Sequence, residues 1–95
     1  MVIVSGWLRV APHDRAEYLA ACGPVIEAAR AMDACDGFYL VPDPMESGMI
    51  NIFEQWESAE AVERFRRDGP AVDLSAMVVD AHVEQHEIAR TTLLT

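Results

Sequence analysis

Side chains sort by period two onto two faces near the start and in the middle of this chain. Val2, Val4, Gly6, Leu8 and Val10 fall on one face of an extended segment, and Ile3, Ser5, Trp7 and Arg9 on the other. Both faces are largely apolar, so a first strand over Val2–Val10 is expected to be covered on both sides. Ile50, Ile52, Glu54 and Trp56 alternate with Asn51, Phe53 and Gln55, predicting a strand over Met49–Glu57. Between these two strands the period lengthens. Tyr18, Cys22, Val25, Ile26, Ala29 and Met32 recur at helical spacing over Arg15–Met32, with Asp14 as candidate N-cap and Glu17 completing a capping box. Gly23-Pro24 predicts a kink or a break in that helix, because proline lacks the N–H its turn needs. Asp36-Gly37 reads as a turn into a short strand, Phe38–Val41, and the turn-rich stretch Pro42–Gly48 joins that strand to the next as a hairpin.

After the central strand, Ser58 is a candidate N-cap for a helix over Ala59–Arg67, whose first turns carry Glu60 and Glu63, where the helix dipole favours carboxylates. Asp68-Gly69-Pro70 stops it. Pro70 is placed to open a short helix to about Val79. A last strand follows over His82–Ile88, with a tail to Thr95. The order β-α-β-β-α-(α)-β predicts an α+β ferredoxin-like sandwich: a four-stranded antiparallel sheet with helices on one face. The opposite face would carry Ile3, Trp7, Tyr39 and Phe53. An apolar face of that kind implies a homodimer through facing sheets.

With 95 residues the chain makes one domain, residues 1–95, and a chain this small gains core by pairing. At 52% hydrophobic and 24% charged it is too apolar for a disordered chain. No run reaches the ~20 apolar residues of a membrane span, and the N-terminus lacks the basic region of a signal peptide. A net charge of −9, from 16 acidic and 7 basic residues, argues against nucleic acid or an anionic membrane as partner. Cys22 and Cys35 form neither a disulfide framework nor a metal motif, and read as small core thiols of a cytoplasmic, reducing compartment. His82, Glu84 and His86 share one strand face, but their ~7 Å steps are too long for a compact metal site.

Chemistry concentrates around Glu54. A carboxylate between Ile52 and Trp56 on a central strand is costly to bury unpaired. It must pair with Arg64 or Arg67, reach solvent, or sit in a pocket with a raised pKa. Arg64, Arg66 and Arg67 cluster on the second helix and offer an anchor for an acidic ligand group. Trp56 needs a partner for its indole N–H.

The strand end FEQWES at Phe53–Ser58, the helix that follows it, Ala29-Arg30, Cys35, Phe38, PDP at Pro42–Pro44 and FRRDGP at Phe65–Pro70 resemble the antibiotic biosynthesis monooxygenase family, within the dimeric α/β-barrel superfamily. The resemblance spans roughly residues 2–88. Asp33-Ala34 stands where many relatives carry Pro-Gly. The resemblance implies a cofactor-free oxygenase acting on an aromatic polyketide or quinol in a pocket between sheet and helices, with no metal. The alternative is a dimeric binding or accessory protein without catalysis. By the same resemblance, the positions that haem-degrading relatives fill with asparagine, tryptophan and an iron-ligating histidine correspond here to Gly6, Phe65 and Ser75. None of the three residue types is kept, which argues against haem. The implied pocket would hold substrate against Gly6, Phe38, Phe65 and Ser75, with Glu54 as base, Arg66 stabilising the anion and Trp56 stacking on the ring.

Overall fold

The computed structural model describes residues 1–95. Strands β1 (Val2–Val10), β2 (Cys35–Pro42), β3 (Met49–Trp56) and β4 (Val78–Glu87) form one antiparallel sheet in the order β2-β3-β1-β4. Helices α1 (Arg15–Ala21), α2 (Gly23–Arg30) and α3 (Ala59–Asp68) cover one face. This is the ferredoxin-like α+β sandwich that the order of elements predicts.

The alternation in β1 and β3 sorts the two faces as expected. Val2, Val4, Leu8 and Val10 of β1 and Ile50, Glu54 and Trp56 of β3 are buried beneath the helices. The helix after β1 breaks at Cys22, and α2 restarts with Pro24 in its first turn. A proline there breaks the preceding ladder, yet its missing N–H costs nothing in a new first turn. Ser58 caps α3, its hydroxyl accepting from the Ala61 N–H at 3.2 Å.

Four local expectations change. Asp14 makes no capping hydrogen bond, because Pro12–Asp14 winds into a 3-10 turn that runs directly into α1. Asp36-Gly37 is not a turn. Cys35 pairs with Trp56 and Gly37 with the next residue, Gln55, so the extra residue is absorbed as a bulge inside β2. No helix forms over residues 70–79. The Asp73 carboxylate accepts from both the N–H and the hydroxyl of Ser75, and this local bonding nucleates only a 3-10 turn at Ser75–Met77. The last strand begins four residues earlier than expected, at Val78.

The β2–β3 hairpin is held by two side chains. Asp43 accepts from the backbone N–H groups of Met45 and Glu46, both at 2.9 Å, and from the Asn51 amide at 2.8 Å. These donors, Asn51 first, hold its carboxyl below the usual range. Arg15, at the start of α1, donates to the carbonyls of Asp43, Glu46 and Met49. The hairpin and the first helix are thereby tied together, which fixes one wall of the space between sheet and helices.

The face away from the helices carries an aromatic row. Tyr39 pairs with Phe53 at 6.1 Å between centroids, and Trp7 stacks on His82 at 6.4 Å, with the Arg9 guanidinium over the indole. Tyr39, Val41 and Phe53 are exposed. His82, Glu84 and His86 lie on this same face, opposite Trp7, Ser5 and Ile3 in the β1–β4 register. No cluster of three or more His, Cys, Asp or Glu is disposed to hold a metal ion, and no helix is long and apolar enough to cross a membrane.

Candidate active site

The buried side chains form two clusters. One centres on Trp56, Phe38 and Phe65, with Val2, Val4 and Ala29. The other comprises Leu8, Val10 and Ile50, with Tyr18 and Leu19 against it. Between them lies a cavity of about 470 Å³, within the size range of small-molecule sites. Its walls come from every layer: Leu8 from β1, Ile52 and Glu54 from β3, Phe38 and Leu40 from β2, Phe65 and Arg66 from α3, and Val83 from β4. Tyr18 and Cys22 line the α1 side. The irregular segment Pro70, Ala71, Val72 and Leu74 forms the rim, so the stretch that fails to become a helix borders the cavity instead.

Glu54 and Arg66 are the charged residues of the lining. Glu54 is 6% exposed. Its Oε1 accepts from the Trp56 indole Nε1–H at 2.9 Å, and its Oε2 lies 3.6 Å from the Arg66 guanidinium. Burial raises the Glu54 pKa above its ordinary 4.5, opposed by the indole hydrogen bond and the guanidinium. Arg66 is over half exposed, so its attraction is screened and geometrically loose. Glu54 thus combines a fixed orientation, set by Trp56, with an affinity for protons above that of a free carboxylate. Those are the attributes of a general base in an apolar pocket.

Three aromatic rings support this arrangement. Phe65 lies 5.3 Å from Trp56 and 6.0 Å from Phe38, and Phe38 meets Trp56 edge-on at 6.4 Å. Phe38 and Phe65 present to the cavity. Trp56 does not. It is fully buried behind them, and its contact with the site runs through Glu54.

Four sequence-derived candidates therefore converge on the cavity: Glu54, Arg66, Phe38 and Phe65. Three do not line it, and each has a physical reason. Trp56 is packed beneath the lining. Gly6 lies in the floor between its sheet partners Ile52 and Val83, with no side chain to offer. Ser75 is exposed on the 3-10 turn, its hydroxyl donated to Asp73 at 2.7 Å. The partner of Glu54 is Arg66, not Arg64 or Arg67, because the phase of α3 turns only Arg66 toward β3; Arg67 pairs with Asp68 instead. Two lining residues, Tyr18 and Cys22, belong to the hydrophobic stripe of the first helix, which by itself marks them only as core. Their spacing of four, which puts them on one helix face, is the signal that joins them.

Both cysteines are free. Cys22 is buried; Cys35 is half-buried with its thiol directed to the Gly37 carbonyl at 3.4 Å. Burial raises the pKa of each. The cavity lining contains no histidine, and burial favours the protonated forms of both the Cys22 thiol and the Tyr18 hydroxyl, so the residues present do not fit a haem iron.

A four-stranded ferredoxin-like sandwich with an apolar cavity and one buried carboxylate defines a class of small α+β domains. The antibiotic biosynthesis monooxygenase profile matches residues 1–73, and the chain belongs to that family. Among solved structures, a candidate antibiotic biosynthesis monooxygenase from Deinococcus radiodurans superposes with a TM-score of 0.82 at 20% identity, covering 100% of this chain and 99% of that one. A conserved protein from Methanosarcina mazei gives 0.76 at 15% identity over 90% and 89%. A haem degrader from Mycobacterium tuberculosis, with two haems bound in its active site, gives 0.68 at 15% identity over 97% and 99%. These likenesses establish the shared fold. Among curated proteins, none matches the chain by sequence.

Proposed function

We propose that this protein is a cofactor-free monooxygenase acting on an aromatic polyketide or quinol-like small molecule. The observation that carries the reading is the Glu54 carboxylate: buried, oriented by Trp56 and facing an apolar cavity walled by Phe38 and Phe65. Family membership supports the reaction class.

For an anthrone-type substrate the chemistry balances without an added redox group. Glu54 takes a proton from the activated ring carbon, and Arg66 lies beside the anion that forms. The anion passes one electron to dioxygen, and the resulting radical pair combines into a carbon–oxygen bond. Protonation by Glu54 gives a hydroperoxide. Loss of the second ring proton with cleavage of the O–O bond leaves a quinone carbonyl and releases water. The protein's part is to hold the ring, move the proton and exclude bulk water.

Oxygen uptake by metal-free, flavin-free protein on hydroxylated anthrones and naphthols tests the reading. Uptake above the protein-free rate with one water formed per quinone is expected. Ligand-dependent stabilisation without oxygen consumption would instead identify a binding or accessory protein.

Trp56 acts through Glu54 in this scheme. Its replacement by alanine would empty the core at a cost of about 3–5 kcal/mol, so Trp56→Phe is the informative change. It keeps most of the packing and removes the N–H that favours the ionised carboxylate. The Glu54 pKa then rises further, and the acid limb of kcat/KM against pH moves upward by about one pH unit. A profile that stays in place would remove Trp56 from the mechanism.

The same proposal includes a homodimer formed through the aromatic sheet face. Tyr39, Val41 and Phe53 expose an apolar surface there that a second copy would cover. Phe53→Arg would put an unpaired cation into that apolar contact. In sedimentation velocity the variant is expected to run as a monomer and the wild type as a dimer; identical profiles would reject sheet-to-sheet pairing.

A further inference from the structure

Tyr18 carries the one hydroxyl of the cavity lining, and the proposed reaction leaves it unused. It stands on α1, across the cavity from Glu54, and packs against the cluster of Leu8, Val10 and Ile50 rather than that of Trp56. Neither its hydroxyl nor the neighbouring Cys22 thiol has a hydrogen-bond partner in the protein. The two side chains lie four residues apart on one helix face. Burial, with Cys22 adding to it, raises the Tyr18 pKa above 10.0, so the hydroxyl stays protonated and free to donate. Ile50, at the Tyr18 end, and Glu54 are four residues apart on β3, about 13 Å along the strand. Between them the walls are apolar: Leu40, Ile52 and Phe38.

We infer that Tyr18 is a second polar anchor of the cavity, and that the ligand it selects is a fused polycyclic aromatic bearing an oxygen function at each end. One end is acidic and meets Glu54 and Arg66; the other is a carbonyl or hydroxyl oxygen that accepts from the Tyr18 hydroxyl. A flat hydrocarbon body spans the apolar walls. This inference rests on the reading of the cavity as an aromatic-binding site and adds to it which aromatics are chosen. Tyr18 is a specificity-determining residue in this scheme; it takes no part in proton abstraction.

Binding of redox-stable anthraquinones tests it without turnover. The probes are 2,6-dihydroxyanthraquinone, with oxygens at both ends, and 2-hydroxyanthraquinone, with one. Wild type is expected to bind the first about fivefold tighter than the second, the worth of one neutral hydrogen bond. In Tyr18→Phe that preference should vanish while affinity for the one-ended probe holds. Loss of affinity for both probes alike would mark Tyr18 as merely structural and overturn the inference. Equal affinities in the wild-type protein would overturn it without any variant, while leaving aromatic binding intact. Failure of both probes to bind would overturn the aromatic reading itself, and the anchor with it.

Discussion

Glu54→Gln is expected to abolish oxygen uptake and at the same time to stabilise the fold. Removing a general base typically costs 10²–10⁴-fold in rate, roughly 3–5 kcal/mol of transition-state energy. Glutamine keeps an oxygen for the Trp56 indole N–H and removes a charge from a position only 6% exposed. The ion pair it gives up is with an exposed, screened arginine. The balance favours the variant by about 1 kcal/mol at pH 7. The pH dependence has a definite sign. Folding raises the Glu54 pKa above 4.5, so the protonated carboxyl is favoured in the folded state. Its contribution is full below that ordinary value and is lost as pH rises through the elevated one. The wild type therefore loses stability across that interval, and the glutamine variant does not. Thermal melts from pH 4 to pH 8, alongside oxygen uptake, read both effects. A variant that is inactive and less stable at neutral pH would make Glu54 a structural residue; one that is active would remove it as the base.

The second large effect is expected at Gly6, where substitution should damage the sheet rather than ligand binding. Gly6 has φ of 152°, a conformation L side chains rarely adopt, in the middle of the central strand β1. A Cβ at this position would run into the His82 carbonyl oxygen and the Val83 Cα of β4. Both are backbone atoms of a paired strand and cannot swing aside. Gly6→Ala therefore combines an unfavourable φ with displacement of β4, about 3 kcal/mol. That is a large part of the stability of a small domain. Denaturant unfolding of Gly6→Ala should give a much lower midpoint, and backbone amide exchange should accelerate along β4. A variant of wild-type stability that had lost only ligand affinity would return Gly6 to the cavity lining.

The two residues illustrate how far one chain can be read. At Glu54 the alternation Ile50, Ile52, Glu54, Trp56 already states the problem: a carboxylate among apolar neighbours on one strand face. Local pattern leaves three solutions open: pairing, exposure or a raised pKa. The structure realises the first and third together. Trp56 holds one oxygen, Arg66 approaches the other, and desolvation still dominates. At Gly6 a missing side chain carries no local message. Only the closeness of β4 makes it intelligible.

Alternation, helical spacing, the Pro24 break and the Ser58 cap are local properties. They depend on neighbours a few residues away, so the number and order of the strands, the faces of β1, β2 and β3 that meet the helices, and the division of the helix after β1 are all legible in the sequence. The Glu54–Arg66 pairing, the bulge at Asp36-Gly37, the irregular rim at residues 70–74 and the meeting of Tyr18 with Glu54 around one cavity follow only from how distant segments pack. Each depends on the space left when large side chains from distant segments, Trp56, Phe38 and Phe65 above all, fill some gaps and leave another open.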